Sequence, residues 1–131
     1  MQAYSLLEDS RDELAAWRRG FHARPILDFE KCHTAALISE FLAQFGRKIE
    51  REVGKTGVVE MLKIGASARA IGLRADMDAL SITENTSVEY RSRNPGRMNA
   101  CGHDGHTTML LGISWATSGY ARQHEEKEST C

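Results

Sequence analysis

At Gly46 the apolar pattern of this chain changes period, and that change limits the folds open to it. Upstream, Leu37, Ile38, Phe41, Leu42 and Phe45 recur at three- and four-residue spacing. This predicts a helix from about Glu30 to Phe45, with Gly46 as its left-handed C-terminal residue. Downstream, "KIEREV" alternates, "GKTG" can turn, and "VVEML" and "AIGLRA" read as strands. Residues 65–70, "GASARA", read as the loop between them. Helices before the strands and another after them imply an α/β fold, a sheet flanked by helices, cut short at the C-terminal end.

The flanking segments fill in this outline. Ser5 to Arg19 reads as an amphipathic helix, with Ser5 and Glu8 spaced as a capping box and Leu6, Leu7, Leu14 and Trp17 on one face. Pro25 biases Arg24 away from helical backbone, so "FHARPILDF" is a connector. Asn94-Pro95-Gly96 marks a turn between short extended pieces around Ile82 and Val88. Beyond it, "HTTMLLGISWA" places Met109, Leu110 and Ile113 on a helical face. Residues 1–116 form the folded domain on this reading, and 117–131, ending in the polar "RQHEEKESTC", form a disordered tail.

Composition narrows the function. With 131 residues the chain can bury a core, and a net charge of −1 offers no electrostatic case for nucleic acid or an anionic membrane. The N-terminal segment carries acids where a signal peptide needs a basic region and an apolar stretch, which places the chain in the cytoplasm. Cys32, Cys101 and Cys131, odd in number and widely spaced, argue for reduced thiols.

Chemistry concentrates in "NACGHDGHTT", residues 99–108. Cys101 and His103 are two residues apart around Gly102, a spacing that suits a tight loop turned toward an ion. A thiolate with a neutral imidazole favours zinc or a similar late transition metal. Asp104 and His106 fall where a helix begins, whose dipole favours a carboxylate. Spacing alone leaves metal binding and helix-start packing equally open. A second cluster, Asp76 and Asp78 in "GLRADMDAL", ends a predicted strand, where α/β proteins place active-site groups.

Taken together, "KTGVVEML", "IGLRADMDAL" and "NPGRMNACGHDGHTTMLLG" resemble the N-terminal part of the metal-dependent amidohydrolases that include hippurate hydrolase, N-acyl-amino-acid deacylases and auxin-conjugate hydrolases. "RRGFHARPILDFEKCHTAALISEFL" is similar to that family's opening segment, and the resemblance covers roughly residues 10–112. It implies a zinc-peptidase-like α/β domain and a two-metal centre of zinc, manganese, cobalt or nickel that cleaves the amide of small N-acyl amino acids. It implies that Cys101 and His103 are metal ligands and that Asp78 orients and polarises the centre. Asp76, Asp104 and His106 take supporting places, and His22 a structural one.

The resemblance also defines what to look for elsewhere. Its further ligands, its general-base glutamate and its dimerisation domain lie beyond this segment, so no base is assigned in this chain. Glu125-Glu126 is similar to the family's glutamate pair but lacks the strand that should precede it. "HEEKE" is not the H-E-x-x-H zinc motif, because Glu128 stands at the second histidine position. Arg24 and Ile26 stand where the family usually has histidine and glutamate, and Ser81 where it has proline. Two expectations follow: an incomplete, inactive amidohydrolase segment, or a small metal-binding or interaction module without catalysis.

Overall fold

Strong helix formers and an apolar stripe open the chain, and the structure, a computed structural model describing residues 2–27 and 32–128, begins with paired helices. These are α1 (Gln2–Asp9) and α2 (Arg11–Ala23), where one helix from Ser5 to Arg19 was expected. The chain bends at Ser10, whose backbone leaves the helical region (φ −101°, ψ 12°). Ser5 and Glu8 therefore lie inside α1, and the expected capping box at the helix entry does not form. Arg24, at φ −129° and ψ 61°, ends α2 just before Pro25, as the restriction on the residue preceding a proline requires.

After the connector comes α3 (Cys32–Gln44), closed by Gly46 at φ 74°. The predicted start near Glu30 lies outside the described residues. The chain then forms β1 (Lys48–Val53) and β2 (Gly57–Met61), an antiparallel pair with Lys48 opposite Met61 and Glu50 opposite Val59. Register shifts between Glu50 and Val53, and Glu52, Gly54 and Lys55 all take positive φ through the connection. At Gly57 a Cβ would run into the carbonyl oxygen of Val53, a backbone atom that cannot yield without reshaping the turn. Gly57→Ala is expected to cost about 1–2 kcal/mol, read from a urea denaturation midpoint.

The predicted strand "AIGLRA" is not one in the structure. Residues 62–79 run without regular structure, and Ile71 is 90% exposed. A strand is defined by its ladder partner, and among the described residues none lies beside this segment. An isolated bridge does form between Leu80 and Met98, closed by hydrogen bonds in both directions (2.9 and 3.0 Å). The turn expected at Asn94-Pro95-Gly96 is present, with Arg97 N–H donating to the Asn94 carbonyl at 3.2 Å and Gly96 at φ 70°.

The last helix, α4 (His103–Glu128), crosses α1, α2 and α3. Its buried face is not the expected one: Met109 and Ile113 are exposed, while Asp104, Thr107, Thr108, Leu111, Ser114 and Ser118 are buried. The helix also continues to Glu128, through Glu125-Glu126, where a disordered tail was expected. Residues 121–128 are mostly Ala, Arg, Gln, Glu and Lys, which lose little rotamer freedom in a helix. Ile38, Leu42 and Leu111 centre the core, with Trp17, Phe21, Phe41, Phe45, Ile49 and Val58 packed around them. Trp17 and Phe41 lie with ring centroids 4.8 Å apart. No helix among the described residues is long and apolar enough to cross a membrane.

Candidate functional site

The site is assembled where residues 76–79 pass the first turn of α4. Asn99 is buried and donates its side-chain N–H to the Phe21 carbonyl at 3.0 Å, which pins the approach to the helix. Gly102 then turns the chain at φ 80°, a left-handed conformation that L side chains rarely adopt. Its carbonyl accepts the amides of Gly105 (3.0 Å) and His106 (3.1 Å), which makes it the helix's N-terminal cap. Cys101, a free and exposed thiol, precedes this turn, and His103 is the first helical residue after it.

His103 has a defined orientation. Its Nδ1 lies 2.8 Å from the Asp78 carbonyl oxygen and 3.3 Å from Asp78 Oδ1. A carbonyl oxygen only accepts, so Nδ1 carries the proton, and in the neutral ring the lone pair resides on Nε2. This is the arrangement in which a metal-binding histidine donates its other nitrogen to a second partner, raising its basicity and fixing its ring. Thr107 Oγ1 donates to the Asp76 carbonyl at 3.1 Å, one turn further along, so the 76–78 segment is tied to α4 twice. The two sequence clusters thus meet at Asp78 and His103.

The other candidates separate. The Asp76 carboxylate faces Arg74, whose Nη2 lies 2.7 Å away in an exposed pair. His106 is exposed, with its ring centroid 5.8 Å from that of His103. Asp104 turns inward, away from solvent, and its side chain is 1% exposed. There Oδ2 lies 2.8 Å from His22 Nδ1 and 3.5 Å from Arg18 Nε. His22 Nε2 in turn lies 3.2 Å from Glu84 Oε1.

Glu84 is the member that sequence reading missed, and its neighbours explain how it survives with a side chain only 2% exposed. Burial pushes its carboxyl pKa up. Hydrogen bonds from the Thr86 hydroxyl, the Ser92 amide (2.6 Å) and His22, with the charge of His22, outweigh burial and hold it below 4.5. Because the folded pKa is depressed, this stabilisation is fully present above about pH 4.5 and is lost as pH falls through the folded value. Urea titrations from pH 6 downward should show the chain weakening in that window, and Glu84→Gln should flatten the slope there. An unchanged slope in Glu84→Gln would remove Glu84 from the account.

Asp78 and His103, joined by a hydrogen bond, provide an oriented imidazole next to a carboxylate, and Cys101 adds a reachable thiol. Among the described residues no three or more His, Cys, Asp or Glu side chains are grouped to hold an ion. A thiol and an imidazole are donor types that a late transition metal accepts, but two such donors fall short of a complete coordination shell.

The segment that carries both clusters is similar to known proteins. Residues 72–130, which include both clusters, match the model of peptidase family M20/M25/M40. The chain is 48% identical over 103 residues to hippurate hydrolase of Campylobacter jejuni, covering 79% of this chain and 27% of that protein. It is 45% identical over 109 residues to the N-acyl-L-amino acid amidohydrolase of Geobacillus stearothermophilus, covering 83% of this chain and 30% of that one. It superposes with a TM-score of 0.81 and 32% identity on the YXEP protein of Bacillus subtilis, described as a dinuclear metal-binding peptidase of the M20 family. That match covers 87% of this chain and 32% of the other. The chain spans about a third or less of the length of each.

Proposed function

Because this chain belongs to peptidase family M20/M25/M40 over the segment it spans, we propose that it contributes one wall of a metal centre that hydrolyses the amide of N-acyl amino acids in the cytoplasm. The observation that carries this reading is the bond from His103 Nδ1 to Asp78, which leaves Nε2 available to a metal. In this reading Cys101 Sγ and His103 Nε2 hold the metal, and Asp78 orients His103. When bound, such a centre polarises the scissile carbonyl and lowers the pKa of a water nucleophile. Asp76, Asp104 and His106 act in support: the first through its backbone carbonyl, the second by anchoring the ligand turn to α2, the third beside the His103 ring. The remaining ligands and a carboxylate base, by the resemblance, belong to segments outside these 131 residues.

Cobalt titration of the purified chain tests the ligand pair. One equivalent of Co²⁺ should produce a thiolate-to-metal absorption band that disappears in Cys101→Ser and weakens in His103→Ala. A band that survives Cys101→Ser would remove the thiol from the site. Two protein ligands leave most of the coordination shell to water, so affinity should be modest.

The pair of donors also favours a second reading, a metal-binding or interaction module without catalysis. Zinc content after dialysis separates the two: one equivalent retained would favour the module, and its loss would favour one wall of a larger centre. Amino-acid release from hippurate with divalent metal that vanishes in Cys101→Ser would overturn both, by establishing catalysis by this chain alone.

A further inference from the structure

Arg24 stands where the resembling family usually has histidine, and nothing in the candidate metal site uses it. We propose that the groove it lines is a binding site for a phosphate dianion, free or carried as a monoester. The groove encloses about 570 Å³ between the C-terminal turn of α2 and residues 87–93. Arg19, Arg24 and Arg93 line it with Ser87 and Tyr90, against one carboxylate, Glu89.

Arg19 and Arg24 alone would have an ordinary explanation, since basic side chains complement the negative end of a helix dipole. Arg93 does not share it, because it comes from a separate segment. Three arginines and one acidic residue among the lining leave a local excess of positive charge in a chain whose net charge is −1. Neither Arg24 nor Arg93 has an acidic side-chain partner among the described residues. A dianion with several acceptor oxygens matches that excess, and guanidinium groups recognise such oxygens in bidentate fashion.

The walls are fixed in place. Arg93 N–H donates to the Ala23 carbonyl at 2.9 Å, and Asn94 Nδ2 to the Pro25 carbonyl at 2.9 Å. These bonds tie the 87–93 segment to the end of α2, so the backbone at Arg24 and Arg93 is preorganised and little ordering is left for a ligand to induce. The Arg19 guanidinium lies 5.3 Å from the Tyr90 ring centroid, held over its face. Tyr90 also meets His22 edge to face, at 5.6 Å between centroids, so the buried His22 network backs the aromatic wall. Cys101 and His103 take no part, and the proposal stands apart from the metal reading.

Calorimetric titration of the full chain with phenyl phosphate at low ionic strength tests it. Saturable binding at one site is expected, weakened at least tenfold by Arg24→Gln and by Arg93→Gln. Arg74→Gln, which removes an arginine outside the groove, should leave it unchanged. Inorganic phosphate should compete and the monoanion benzoate should not. Phenyl phosphate binding at least tenfold tighter than inorganic phosphate assigns a monoester whose body rests on Tyr90; equal affinities assign free phosphate. Absence of saturable binding, equal losses in Arg74→Gln, or competition by benzoate equal to that by phosphate overturns the proposal.

Discussion

Asp104→Ala will lower the stability of the chain by about 3–5 kcal/mol, the range for removing one partner of a buried charge-paired network. The carboxylate is sealed from water, and His22 is nearly so. Its Oδ2 accepts from His22 Nδ1 at 2.8 Å, and the opposite ring nitrogen already faces Glu84. Both ring nitrogens thus face carboxylate oxygens, Asp104 on one side and Glu84 on the other. Truncation leaves His22 Nδ1 without its protein acceptor in a buried position. Arg18 cannot compensate, because its side chain is mostly in water and it contacts the same Oδ2 from outside, at 3.5 Å. Against a total of about 5–15 kcal/mol for a typical domain, the loss is large enough to populate unfolded chains. Urea denaturation at pH 7 reads it directly. A loss below about 1 kcal/mol would show that the network closes around the gap, and that Asp104 does not anchor α4 to α2.

Asp104 also shows how far the sequence could be read. The resemblance gives it a supporting place, and its position at a helix start suggests a dipole partner. Only the fold shows that it turns the other way, toward a histidine 82 residues earlier. Glu84 carried no comparable signal: a lone glutamate in "ITENTS" reads as a solvated loop, and burial is decided by what packs over it. His22, by contrast, was read as structural from the resemblance, and its two buried contacts account for such a role.

The elements follow a similar division. Local patterns were sufficient where the interaction that stabilises an element is local: the α3 stripe, the hairpin, the Pro-Gly turn and the Gly46 cap. They failed where stability depends on distant residues. "AIGLRA" has strand propensity, but a ladder needs a second strand, and propensity does not supply one. The buried face of α4 was misread for another reason. Most of its buried hydroxyls find carbonyl acceptors, Thr108 at 2.7 Å to Asp104 and Ser118 at 2.6 Å to Trp115 within the helix, and Thr107 at 3.1 Å to Asp76 outside it. Once satisfied they bury at little cost, so hydropathy ranks Met109 and Ile113 above the residues that face inward.

Arg47→Met is expected to lower stability by about 3 kcal/mol, although nothing in the sequence distinguishes Arg47 from other charged residues of the strand region. Its side chain is 5% exposed and lies between the hairpin and α4. Nε lies 2.9 Å from Glu60 Oε1 on β2, while Nη2 donates to the Ser114 carbonyl at 2.8 Å and to Thr117 Oγ1 at 3.0 Å. Methionine keeps much of the apolar stem but removes every donor, leaving the Glu60 carboxylate largely buried beside an apolar chain. The sign of the pair's own contribution is open to a second measurement. If the loss arises from the stranded carboxylate, Glu60→Leu added to Arg47→Met should restore most of it, since apolar replacements of both partners avoid the desolvation cost. If instead the bonds from Nη2 to α4 dominate, the double variant should stay near the single one. Recovery of more than half the loss would place the penalty on Glu60, and the hairpin, rather than α4, would then be the element that needs Arg47.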